Sequence, residues 1–140
     1  ISNEATNGIG GIVGYVENNN ATITGCVNMG PVISTETGVG GIVGYSDEDS
    51  SNLTISKCIN VGEVSGPNIV SGILGQSSTT SVTISNCMNL GKISATDSSN
   101  AYASGITTPY ETHIVSNSIN VGEIAAKILF ATLEFRNPKS

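Results

Sequence analysis

The hexapeptide GGIVGY occurs at residues 10–15 and again, unchanged, at residues 40–45. The related segments SGILGQ and SGITTP begin at Ser71 and Ser104, so the four copies start 30, 31 and 33 residues apart. A second segment comes after each copy: TITGCVNMGPV from Thr22, TISKCINVGEV from Thr54, TISNCMNLGKI from Thr83 and IVSNSINVGEI from Ile114. Two segments that share one period of about 31 residues identify an internal repeat.

Each repeat consists of short β-branched segments separated by Gly, Asn and Ser, and it has no helical periodicity. Such a unit cannot bury its apolar face alone, so successive copies must stack. We therefore predict an all-β fold, a parallel β-helix (β-solenoid) of about four and a half coils. Right-handed coiling is expected from the usual handedness of parallel crossovers. The predicted repeat domain is 1–124, with coils near 10–39, 40–70, 71–103 and 104–124.

Stacking in register aligns equivalent residues of successive coils in columns. Five apolar columns are predicted to line the interior: Ile12/Ile42/Ile73/Ile106, Ile23/Ile55/Ile84/Val115, Val27/Ile59/Met88/Ile119, Met29/Val61/Leu90/Val121 and Val32/Val64/Ile93/Ile124. Two further columns are Cys26/Cys58/Cys87/Ser118 and Asn28/Asn60/Asn89/Asn120. We interpret the asparagines as a ladder of stacked amides that satisfies turn backbone groups. Whether Cys26 or Val27 points inward is left open, because both head a plausible inner column.

Two glycine columns bracket the apolar pair of each hexapeptide. We assign them a structural role, at bends or where adjacent backbone leaves no room for a Cβ: Gly11, Gly14, Gly41, Gly44, Gly72 and Gly75. A nucleotide-binding loop would occur once and would open a helix. From Gly8 the spacing is also GxGGxxG rather than GxGxxG, which disfavours phosphate binding.

The charge balance excludes several classes of partner. Only 11% of the residues are charged, the formal net charge is −6, and there are five Lys and Arg residues in all. Nucleic-acid binding and polybasic membrane binding both need clustered basic residues. No apolar run approaches the roughly 18 residues of a membrane span, so we expect no membrane insertion. Because the chain starts at Ile1 without Met, we expect it to be a piece of a longer chain.

We predict that the chain is not an enzyme and needs no cofactor. His113 is the only histidine, which excludes an HExxH zinc motif, and no nucleophile-elbow sequence accompanies it. Cys26, Cys58 and Cys87 lack the CxxC spacing of metal sites. The acidic loop at Asp47, Glu48 and Asp49 is a weak candidate for calcium, against the commoner reading of a solvated turn.

The flat face of the predicted solenoid offers candidate binding residues. Thr and Ser flank an isoleucine in three successive repeats, which would direct two parallel rows of hydroxyl groups outward: Thr22, Thr24, Thr54, Ser56, Thr83 and Ser85. Regular hydroxyl arrays can bind ice or polysaccharide. Thr and Ser are also good exposed strand residues without any ligand.

The glycine segments resemble the GLUG-type repeats, which are named for a Gly-Leu-apolar-Gly core. That core stands here as Gly11–Gly14, Gly41–Gly44 and Gly72–Gly75, and the resemblance covers the chain to about Ile124. Such repeats occur in large bacterial surface proteins, including adhesins and non-catalytic regions of immunoglobulin A-cleaving metallopeptidases. The resemblance implies an extracellular, cell-envelope setting. We therefore expect a non-catalytic module that adheres to host or envelope glycans or proteins. The alternative is a passive spacer within a large secreted peptidase.

Two segments depart from the repeat. The fourth copy, SGITTP, replaces the second apolar–Gly pair by Thr107, Thr108 and Pro109, which predicts a distorted coil. Residues 125–140 have a different character, and we predict that they cap the last coil or link it to a neighbouring domain.

Overall fold

The structure is a computed structural model that describes residues 7–17, 20–47, 52–79, 81–97, 101–108, 113–126 and 128–129. Within these residues every regular element is a β-strand. The first two repeats contain β1 (Asn7–Gly10), β2 (Val13–Val16), β3 (Asn20–Thr24), β4 (Val27–Asn28), β5 (Val32–Ile33), β6 (Thr37–Gly40), β7 (Val43–Ser46), β8 (Asn52–Ser56), β9 (Ile59–Asn60) and β10 (Val64–Gly66). The rest contain β11 (Ile69–Ser71), β12 (Leu74–Ser77), β13 (Val82–Ser85), β14 (Met88–Asn89), β15 (Ile93–Ala95), β16 (Tyr102–Ser104), β17 (His113–Ser116), β18 (Ile119–Asn120), β19 (Ile124–Ala125) and β20 (Ile128–Leu129).

Strands at the same position of successive repeats pair in parallel and form five sheets. Sheet A contains β1, β6, β11, β16 and β20, sheet B contains β2, β7 and β12, and sheet C contains β3, β8, β13 and β17. Sheet D contains β4, β9, β14 and β18, and sheet E contains β5, β10, β15 and β19. The four strands in each of sheets C, D and E are separated by three complete turns of the chain. The described residues therefore form a parallel β-solenoid of about three turns.

The predicted all-β parallel solenoid is confirmed, but the predicted count of four and a half coils is not. Part of the difference lies in the fourth repeat. There sheet B is reduced to an isolated bridge between Leu74 and Thr107, where the sequence departs from the glycine motif. Of the proposed cap at residues 125–140, the structure describes only Ala125 at the end of β19, Ala126 and the short strand β20 in sheet A.

The interior contains two apolar cores. One lies between sheets B and C and includes Val43, Leu74, Ile55 and Ile84. The other lies between sheets A and E and is built from small side chains, four valines and three alanines, together with Ile93. Since β-strands direct alternate side chains to opposite faces, this arrangement fits the short alternating segments of the sequence.

Sheets A and B meet back to back with almost no side chains between them. A Cβ added at Gly44 would lie 2.4 Å from the backbone nitrogen of Ile9, and one at Gly75 would lie 2.7 Å from the carbonyl carbon of Val39. Atoms cannot approach that closely, so any side chain at these positions would push the two backbones apart. The second glycine column of the hexapeptide therefore lets two sheets touch.

The first glycine column packs on the asparagines. A Cβ added at Gly41 would lie 2.4 Å from Cγ of Asn60. It would also lie 2.1 Å from the carbonyl oxygen of Gly72 in the next rung, where a rung is one coil of the solenoid. Gly11, Gly72 and Gly105 make the corresponding approach to Asn28, Asn89 and Asn120. The repeated glycine and the repeated asparagine, far apart in sequence, thus form one contact in every rung.

The asparagine side chains form a continuous hydrogen-bonded ladder. Asn28 Nδ2 donates to Asn60 Oδ1 at 2.8 Å, Asn60 Nδ2 donates to Asn89 Oδ1 at 2.7 Å, and Asn89 Nδ2 donates to Asn120 Oδ1 at 2.6 Å. Each Nδ2 also donates to the backbone carbonyl two residues ahead, at 2.8–2.9 Å. Since all four side chains are buried, these bonds satisfy amides that would otherwise destabilise the interior.

The asparagine ladder shows which of Cys26 and Val27 points inward, a choice that the sequence left open. Cys58 and Cys87 are buried and Asn28 points inward, so Val27 on the same short strand points outward. Two of the five predicted interior columns are therefore wrong. The columns headed by Val27 and Met29 lie on the outer surface of sheet D and the turn after it, where Met29 is 72% exposed.

Candidate binding surfaces

The predicted rows of hydroxyl groups lie on the outer face of sheet C. In the first row Thr22, Thr54 and Thr83 are register partners. The second row is formed by Thr24, Ser56, Ser85 and Ser116. Neighbouring strands are about 4.8 Å apart and alternate residues about 6.8 Å apart, so the hydroxyl groups form a flat two-dimensional array.

The burial of the alternate residues keeps this face outward. Ile55 and Ile84 are fully buried in the core between sheets B and C, whereas Thr22 and Thr24 are exposed. A slip of one residue would move every isoleucine to the surface. The core thus fixes which residues of sheet C are presented to solvent.

Hydrogen bonds orient part of the array. Ser56 Oγ donates to Thr24 Oγ1 at 3.0 Å. At the start of the same strands, Asn52 Nδ2 donates to Asn20 Oδ1 at 2.8 Å. In the fourth rung the threonine row ends, because Ile114 takes that position and is 54% exposed. The threonine row therefore spans three rungs, and the bond between Ser56 and Thr24 orients hydroxyl groups in the first two.

A second polar cluster lies at the corner where the chain leaves sheet B for sheet C. The rings of Tyr15 and Tyr45 pack against each other in a tilted arrangement, with their centroids 5.3 Å apart and an interplanar angle of 32°. The Tyr15 hydroxyl donates to Asp47 Oδ2 at 2.5 Å, and the Tyr45 hydroxyl is 2.9 Å from Ser78 Oγ. We refer to Tyr15, Tyr45, Asp47 and Ser78 as the tyrosine corner of this solenoid. This cluster was not predicted from the sequence. The recurrence of tyrosine at the end of both GGIVGY copies was the available signal.

The carboxylate of Asp47 dominates the electrostatics of the corner. Its hydrogen bond, together with some burial, raises the pKa of the Tyr15 phenol above the ordinary range, so this hydroxyl stays protonated. Asp47 is thus engaged by a tyrosine. Glu48 and Asp49, its partners in the calcium hypothesis, lie outside the described residues. Within the part of the chain that the structure describes, no three His, Cys, Asp or Glu side chains converge to hold a metal ion.

His113 begins β17 at the edge of sheet C. Burial lowers its pKa to about 4, against an opposing hydrogen bond with the backbone of Thr108. The imidazole is therefore neutral at pH 7. We assign it a place in the packing of this corner of the fold.

The three cysteines are free thiols in one column. Cys58 Sγ and Cys87 Sγ each lie 3.3 Å from the carbonyl oxygen two residues earlier and donate to it. Burial raises the pKa of Cys87 to about 11, so its reactive thiolate form is scarce at neutral pH.

Among the described residues, no helix has the length and apolar character needed to cross a bilayer. No family model, curated protein or solved structure matches this chain.

Proposed function

We propose that this chain is a non-catalytic module of a large bacterial surface protein that binds host or envelope glycans or proteins. The observation that carries the proposal is the hydroxyl array of sheet C, with a tyrosine corner beside it. Oriented hydroxyl groups can exchange hydrogen bonds with sugar hydroxyls, and exposed aromatic rings can pack on their apolar faces. The resemblance to GLUG-type repeats supports the extracellular setting.

The solenoid supplies the rigidity that such a surface needs. Sheet C is held between the core that it shares with sheet B and the ladder at the next corner. A pre-formed array loses little conformational entropy when it binds, so many weak contacts can add up to useful affinity. The predicted right-handed coiling, and the continuation of the coils to about four and a half, belong to the same proposal. An experimental structure with left-handed coils would contradict it.

The test is binding of the purified 140-residue chain to arrays of glycans and extracellular-matrix proteins. We expect at least one saturable interaction that survives physiological salt, because the surface is polar but carries few charges. Circular dichroism must show a folded, β-rich chain in the same preparation. A folded chain that binds nothing on either array contradicts the binding proposal.

The regularity of the interior favours a second candidate function, a passive spacer within a secreted peptidase. The same glycine–asparagine contact and the same amide bond recur from rung to rung, as expected of a stiff rod. A spacer predicts silence on both arrays and full activity of the parent protein when its length in coils is changed. An adhesive module predicts that deleting it abolishes attachment.

A further inference from the structure

An apolar stripe runs along the outside of sheet D and the turn after it. It consists of two columns of four side chains each: Val27, Ile59, Met88 and Ile119, then Met29, Val61, Leu90 and Val121. Val27, Leu90 and Val121 are 48%, 44% and 65% exposed. Contiguous exposed apolar surface on a soluble domain marks an interaction site more often than single exposed residues do.

The inward asparagines hold the stripe in place. In each rung the two stripe residues flank the ladder asparagine, as Val27 and Met29 flank Asn28. Turning these side chains inward would move the buried amide to the surface and break its bonds to the rungs on either side. Since the ladder forbids this rearrangement, only a partner molecule or another chain segment can cover the stripe.

Charged residues of both signs border the stripe. On the side of sheet C lies Lys57, an exposed residue of the turn into sheet D. An exposed column lies on the side of sheet E and consists of Glu63, Lys92 and Glu123. Each of these residues directly precedes one of the register partners Val64, Ile93 and Ile124. The border is therefore not of one sign, although the chain carries a net charge of −6.

The border is complementary to itself. A two-fold axis parallel to the solenoid axis would bring Lys57 opposite Glu63 of a second copy. A two-fold axis across the stripe, between the second and third rungs, would bring Glu63 opposite Lys92 of a second copy. Either arrangement repeats its ion pair twice by symmetry. A second copy of this chain thus fits the stripe in both apolar character and charge.

We propose that two copies of this chain associate face to face through the apolar stripe. Two columns of four residues cover less than the roughly 800 Å² per partner of a standard interface. The dimer is therefore weak and forms at micromolar or higher concentration. This inference does not depend on the proposed binding function, because it uses a different sheet.

Sedimentation velocity of the full chain from about 5 µM to 1 mM tests the proposal. The wild type should pass from monomer to dimer, and V61K/L90K should remain monomeric over the same range. The control T54K/T83K adds the same two charges to sheet C in the same rungs and should dimerise like the wild type. A monomeric wild type at 1 mM overturns the proposal, as does a dimer that persists in V61K/L90K.

Charge reversal provides a second test that leaves the stripe intact. E63K places like charges opposite each other in both arrangements, and we expect about a three- to tenfold weaker dimer, since each rim pair occurs twice. If K92E is weakened too and an equimolar mixture with E63K restores the dimer, the axis lies across the stripe. If K92E dimerises normally, the axis is parallel to the solenoid. An E63K dimer as tight as that of the wild type overturns the proposal.

Discussion

The side chains of Asn60 and Asn89 are joined by a 2.7 Å hydrogen bond between successive turns of the solenoid. Asn60 Nδ2 also donates to the carbonyl oxygen of Gly62 at 2.8 Å, while Asn60 Oδ1 accepts from Asn28. One buried amide therefore stabilises its own coil of the solenoid and both neighbouring coils. The same hydrogen bonds fix which residues of sheet D point inward. They therefore also fix which residues this sheet exposes to solvent.

Replacing Asn60 by alanine should destabilise the fold strongly. The substitution leaves the donor of Asn28 and the acceptor of Asn89 without their partner in the interior, at about 1–3 kcal/mol for each such group. We expect a loss of about 3 kcal/mol in the free energy of unfolding, measured by urea denaturation. The control is N52A, which removes an exposed amide pair and should cost less than about 0.5 kcal/mol. Equal losses in the two variants would contradict a structural role for the ladder.

A single methyl group at Gly41 should also destabilise the solenoid. Its Cβ would lie 2.1 Å from the carbonyl oxygen of Gly72 and 2.4 Å from Cγ of Asn60. Two adjacent coils of the solenoid would therefore have to move apart. We expect G41A to lose at least about 2 kcal/mol or to fail to fold. In G30A the added Cβ meets no atom within 4 Å, and the melting temperature should stay within a few degrees of the wild type. A well-folded G41A would show that the glycine column is dispensable.

His113 should make the fold less stable as the pH falls. Its pKa is about 4 when folded and 6.5 in the reference state, so the unfolded chain binds the extra proton between these values. The stability contribution is fully present above about pH 6.5 and is lost as the pH falls toward 4, by about 2–3 kcal/mol. Urea denaturation at several pH values should show a steeper slope for the wild type than for H113Q. Parallel slopes would indicate that His113 titrates at the same pKa in the folded and the unfolded chain.

The three thiols should differ in reactivity although they occupy equivalent positions. Cys58 and Cys87 are buried and burial raises the pKa of each thiol, whereas Cys26 is partly exposed at the first rung. Alkylation at pH 8, with mass spectrometry as the readout, should modify Cys26 first and the other two only on unfolding. C87S should keep the fold, because Ser118 already occupies the same column. Equal rates in the native state would contradict the burial of this column.

The repeat period predicted much of the fold directly. The offset of 32 residues between the first two copies of the second segment aligns Thr22 with Thr54 and Asn28 with Asn60, and these pairs are register partners in the structure. The repeat period could not show whether Cys26 or Val27 points inward, because both side chains suit an interior equally well by hydrophobicity. The choice is made by the contact between Gly11 and Asn28, which joins residues 17 positions apart and has no local signature.

The tyrosine corner illustrates a second limit. Each tyrosine could be seen in the sequence, but the bond from Tyr15 to Asp47 spans 32 residues and depends on how the corner turns. The apolar columns were assigned to the interior on hydrophobicity alone. Backbone and amide hydrogen bonds decided otherwise, since an unpaired buried amide costs more than an exposed valine.

The most direct test of the proposed binding function measures how well the outer face of sheet C binds the strongest ligand found on the arrays. T54V/S56A removes two hydroxyl groups and keeps the shape of the strand, while S65A/S94A makes a matched change on the outer face of sheet E. We predict at least tenfold weaker binding by T54V/S56A, about 1.4 kcal/mol, and a change below about twofold in the control. Unchanged affinity in T54V/S56A, with both variants folded, would contradict the claim that this face is the binding surface.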